Sequence, residues 1–127
     1  MKAPTFWHSV WLAAEGIVYT VRTQRNMRIH LTILVLVILA GVFFRLTAME
    51  WALVMLVSGL VIALETMNSA VETLADLVHP DYHPQVKVIK DAAAGAVLIA
   101  ALTAVSVGIA VFGPRVWKVL SGFLALP

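Results

Sequence analysis

A chain of 127 residues that is 61 % apolar, only 13 % charged and has a mean hydropathy of +0.95 is too apolar for a soluble domain of that size. It reads as one membrane-embedded domain spanning 1–127. The absence of cysteine excludes a disulfide framework, a thiolate metal site and a cysteine nucleophile; the net charge of +2 is small, and no nucleic-acid partner is expected.

The start, MKAPTFWHSVW, has one lysine and no long apolar core before Glu15, so it does not read as a cleavable signal. Residues 5–24 predict an amphipathic helix lying on the membrane surface. Trp7, Trp11, Ala14, Val18 and Val21 recur at helical spacing, and tryptophan favours the headgroup level.

Three membrane spans follow, at about 27–46, 50–78 and 86–113. The first reaches full length only if Arg28 snorkels towards the interface. The second is expected to run unbroken for roughly 28 residues, or ~42 Å, and so to project beyond the hydrocarbon core. HPDYHPQ, with Pro80 and Pro84, ends it as a loop. The third carries 22 uncharged residues, Ala92 to Gly113, with Pro114 expected to close it and Trp117, Lys118 and Phe123 beyond it in an interfacial tail. Three spans place the termini on opposite sides. Lys2, Arg22, Arg25, Arg28, Lys87 and Lys90 fall on one side; Arg45, Arg115 and Lys118 fall on the other. The positive-inside rule then puts the N-terminus and the site described next on the cytoplasmic side of a multi-pass membrane protein.

The chemistry gathers in ETMNSAVETLAD, Glu65 to Asp76. On a helix, Glu65, Glu72 and Asp76 lie within about 40° of one another, with Asn68 between them. Carboxylates on one helix face beside an apolar run are costly unless something compensates them. A solvated helix end is the simpler reading, but Glu65 directly follows fourteen uncharged residues and aligns with the later pair. At the same membrane boundary stand Lys90, Asp91 and the Gln24–His30 segment. Carboxylates that hold Mg²⁺, a lysine for phosphate and a carboxylate base are the parts that phosphoryl transfer uses. There is no P-loop: in GIAVFGP, Pro114 stands where lysine is required. His79 and His83 lack a third ligand for zinc. The acids sit at one boundary rather than at mid-membrane, which argues against a transporter half.

ETMNSAVETLAD followed by DYHPQVKVIKDAAAGAVLI resembles the signature of the small prokaryotic diacylglycerol kinase and undecaprenol kinase family, over about residues 9–112 and including Gly16 and RNMRIHL. The resemblance implies an all-α membrane protein with three transmembrane helices and an N-terminal surface helix. It also implies a homotrimer with active sites shared between subunits, using ATP and Mg²⁺. By the same resemblance Glu65 is the general base and Asn68 an active-site polar contact, while Glu72 binds metal. Asp81, Tyr82, His83, Lys90 and Asp91, with Gln24 and Glu72, contact the nucleotide, and Asn26, Arg28 and His30 contact the lipid. Gln24 departs from the proteobacterial pattern, which has a metal-binding glutamate there; an amide oxygen ligates Mg²⁺ without contributing charge. RNMRIHL and HPDYHP are closer to the undecaprenol kinases, so the expected reaction is ATP-dependent phosphorylation of undecaprenol. The alternatives are a diacylglycerol kinase making phosphatidic acid and, from another class, a non-catalytic membrane protein that binds divalent cations or a partner.

Overall fold

The computed structural model describes residues 5–124. Lys2, counted above among the inner-side cations, lies outside them. Among the described residues there are four helices and no strand: α1 (Phe6–Thr23), α2 (Arg25–Phe43), α3 (Ala48–Val78) and α4 (Pro84–Leu124). The last three are each long and apolar enough to cross a membrane, so the protein is a multi-pass membrane protein with an additional N-terminal helix.

The Trp7, Trp11 and Val18 face of α1 is turned away from the other helices, with Trp7 77 % exposed. An indole face left outside the bundle suits a helix lying at a bilayer surface rather than one packed on its neighbours. The corner into α2 is a single extended residue, Gln24. Arg28 closes it by donating from Nη1 to the carbonyls of Val21 and Arg22 at 3.2 and 3.0 Å, satisfying oxygens that the end of α1 would otherwise leave without donors. Met27, on the next turn, is wholly buried.

The turn between α2 and α3 is built from precise backbone geometry. The Leu46 N–H donates to the Gly41 carbonyl and the Arg45 N–H to that of Val42, the paired bonds of a Schellman cap. That cap needs one left-handed residue, and Arg45 takes the position with φ 53°. Thr47 and Glu50 then form a reciprocal capping box at the start of α3. Gly41 lies under the Trp51 ring, where an added Cβ would come within 2.6 Å of Cη2.

α3 spans 31 residues, about 46 Å, and runs unbroken to Val78. Pro84 and Gln85, which the sequence suggested were loop, are the first residues of α4. Proline at a first helical position needs no donor, and the His83 ring accepts the Gln85 N–H at Nδ1. The larger difference lies at the far end. Pro114 does not close α4, which continues to Leu124. The carbonyl one turn before a helical proline, here that of Ala110, forgoes its usual donor, and the next residue, Arg115, ties α4 to its own preceding turn and to α3. Its Nη1 donates to the Val111 carbonyl at 2.6 Å and its Nη2 to Glu50 at 2.8 Å.

Candidate active site

α3 positions the acidic signature. Glu65, Asn68 and Ser69 lie on its buried side, with Glu65 2 % and Asn68 5 % exposed. Glu65 is one of two large side chains that are fully buried among the described residues, with Met27. Its carboxylate has no side-chain hydrogen bond among the described residues; the bond from Ser69 Oγ, at 2.8 Å, goes to its main-chain carbonyl. One turn on, Asn68 Nδ2 donates to Glu72 Oε1 at 3.2 Å, which leaves Asn68 Oδ1 buried and without a donor. Such an atom is costly unless a ligand completes it.

Glu65 and Asn68 form one wall of a cleft of about 280 Å³. Asn26, Ile29 and His30 from α2 form the second wall, and Ala94, Val97, Leu98 and Ala101 from α4 the third. The structure therefore gathers four of the expected site residues, Glu65, Asn68, Asn26 and His30, in one place. The α4 wall was missed at the sequence level: its members are ordinary small and aliphatic residues within an apolar run, and nothing local distinguishes them.

The remaining expected residues lie outside the cleft. Glu72 reaches it only through Asn68. Lys90 is bound to Asp76, Nζ to Oδ1 at 2.8 Å, tying the start of α4 to the end of α3. Asp91 is paired with Lys87 one turn away. Asp81, Tyr82 and His83 form an exposed loop, with Tyr82 79 % exposed. Arg28 is occupied in capping α1. Gln24, at the α1–α2 corner, makes no side-chain hydrogen bond to Glu72 among the described residues.

The donors fit a magnesium ion. Mg²⁺ takes hard oxygens, typically one or two carboxylates completed by phosphate oxygens and water. Glu72 and the undonated Asn68 oxygen are ligands of that kind, and a set of three or more His, Cys, Asp or Glu, absent among the described residues, is not needed.

Residues 11–112 match the family model for prokaryotic diacylglycerol kinases, which is most of the chain. The chain belongs to that family. As a member it is a lipid kinase, acting on a membrane lipid with ATP as donor. It is 36 % identical over 110 residues to an undecaprenol kinase of Bacillus subtilis, covering 87 % of this chain and 89 % of that protein. It is 46 % identical over 107 residues to a diacylglycerol kinase of Synechocystis sp., covering 84 % of this chain but 61 % of the relative. Family membership also decides against the non-catalytic alternative.

Proposed function

We propose that this kinase phosphorylates a polyprenol, undecaprenol in the first instance, on the cytoplasmic side of a bacterial inner membrane. The phosphoryl-transfer part of this reading is carried by the cleft, where a carboxylate with no side-chain partner among the described residues faces walls that bear only an amide, an imidazole and apolar groups; the choice of a prenol rests on the RNMRIHL and HPDYHP segments and on the match along 89 % of the Bacillus subtilis undecaprenol kinase. Glu65 accepts the proton from the lipid hydroxyl as that oxygen forms its bond to the γ-phosphorus; the bond to the bridging oxygen breaks, and ADP leaves. Asn26 and His30 border the space for the hydroxyl. Glu72 and Asn68 Oδ1 would hold Mg²⁺, with Gln24 as a neutral third ligand. When bound, the ion neutralises charge on the transferring phosphate. Lys90 and Asp91, with Asp81, Tyr82 and His83, serve the nucleotide. That loop does not line the cleft within one chain; the family resemblance implies a homotrimer, in which a neighbouring subunit would complete the site.

Diacylglycerol is the second reading, favoured by the 46 % identity to the Synechocystis protein. Turnover of undecaprenol and diacylglycerol, compared side by side in detergent with ATP and Mg²⁺, separates the two. The prenol reading predicts the higher kcat/KM on undecaprenol; equal or better use of diacylglycerol overturns it. A Mg²⁺ titration of Gln24→Glu tests the third ligand: a lower half-saturating concentration places the residue at the ion, and superimposable curves remove it from the site.

A further inference from the structure

HPDYHP joins the end of α3 to the start of α4, and it sets a histidine before a proline twice, at His79–Pro80 and at His83–Pro84. Proline keeps the residue before it out of helical backbone. α3 accordingly stops at His79, which caps it with φ −143° and ψ 86°, and α4 begins at Pro84. The two imidazole rings meet across the turn, their centroids 4.9 Å apart and their planes tilted by 42°. That separation is contact distance for a pair of aromatic rings.

His83 is the partly buried member, and one of its nitrogens is committed: Nδ1 accepts the Gln85 N–H in the first turn of α4, at 3.2 Å. An imidazole that accepts at Nδ1 carries its proton on Nε2 and has that N–H as its donor. One hydrogen bond of this length leaves the ring able to swing; a second contact against its face is what fixes the plane. His79 supplies that contact, and its own side chain makes no hydrogen bond among the described residues. The same two helix ends are also tied by Lys90 and Asp76. For Lys90 to meet a phosphate oxygen it must leave Asp76, so that tie is given up as MgATP binds.

We propose that His79 is a positioning residue for the nucleotide: its ring holds the His83 ring in the orientation that caps α4 and turns Nε2–H towards MgATP, above all once Lys90 has left Asp76. This rests on the reading above that gives the HPDYHP loop, Lys90 and Asp91 to the nucleotide. His79 itself touches neither nucleotide nor lipid and acts through His83.

The test uses the full protein in detergent, with whichever of undecaprenol and diacylglycerol it turns over as acceptor. It reads kcat, KM for MgATP, KM for the lipid, and the thermal midpoint with and without MgATP. His79→Ala is expected to raise KM for MgATP about two- to tenfold, the worth of one ring pair, with kcat, KM for the lipid and the nucleotide-free midpoint nearly unchanged. The rise in midpoint that MgATP produces should shrink with the lost affinity. His79→Phe keeps a ring against His83 without an imidazole nitrogen and should restore the parent KM. An unchanged KM for MgATP in His79→Ala overturns the proposal, as does a His79→Phe variant no better than His79→Ala. A lowered kcat and nucleotide-free midpoint with both KM values raised also overturns it, because general loss of structure gives that pattern. His83→Ala separates this proposal from the reading beneath it. If that variant keeps the parent KM for MgATP, the loop does not serve the nucleotide and both fall; if it raises KM while His79→Ala does not, the role of His79 alone falls.

Discussion

Two carboxylates of α3, Glu50 in its first turn and Glu65 just past its middle, are treated in opposite ways. In the first turn, Glu50 is held by three donors on one oxygen: the Thr47 N–H and hydroxyl and the Arg115 guanidinium all donate to Oε2, at 2.8, 3.0 and 2.8 Å. Towards the other end, Glu65 is more deeply buried yet has no side-chain partner among the described residues, and Asn68 keeps an orphan oxygen beside it. A carboxylate whose lone pairs the fold satisfies is part of the architecture. One held in low dielectric without partners costs stability, and protein sites accept that cost where chemistry requires it. On the proposed reading, this difference in hydrogen bonding rather than in residue type is what suits Glu65, and not Glu50, to catalysis.

That contrast predicts that changes at the Glu65 end reduce rate and changes at the Glu50 end reduce stability. The largest effect belongs to Glu65→Gln, which should lower turnover about 10²–10⁴-fold, as loss of a general base does, with the KM for MgATP nearly unchanged. Because no partner is lost, its thermal midpoint in detergent should not fall; a variant that retains more than a tenth of parent activity removes Glu65 as base.

At the opposite end, Gly41→Ala drives a methyl into Trp51 and should cost about 1–3 kcal/mol. Thermal unfolding in detergent reads this loss, and Trp51→Leu in the same chain should recover part of it. If Gly41→Ala unfolds at the parent temperature, the Trp51 ring does not rest on that glycine.

Breaking the Glu50–Arg115 bridge with Arg115→Met should lower the thermal midpoint by less than Gly41→Ala does, since solvent screens a pair in which both side chains are about a quarter exposed. Activity per folded molecule should stay at the parent level. If catalysis fails while the midpoint holds, the separation of the two ends is wrong.

The smallest effect is a gain. Arg45→Gly relieves a left-handed residue that carries a Cβ and should stabilise the protein by about 1 kcal/mol, with no change in turnover. A lowered midpoint would mean that the arginine side chain contributes more than its backbone geometry costs.

What the sequence determined by itself was local. Apolar runs marked the three crossing helices, because a hydrocarbon core selects on length and hydropathy alone. The 3.6-residue period placed Glu65, Asn68 and Glu72 on one side of α3, and the family signature assigned the chemistry. The tertiary structure decided what depends on residues distant in the chain. Proline reads as a stop on a single helix, but α4 runs on past Pro114, and the next residue, Arg115, bridges to Glu50, 65 residues away. The resemblance assigns Arg28 to the lipid; that its Nη1 also reaches back across the tight corner at Gln24 to the carbonyls of α1 has no mark in the sequence. The α4 wall of the cleft has no local mark at all. It exists because α2 and α4 pack on α3 without meeting each other, and that spacing is set by how three helices pack together rather than by any one of them.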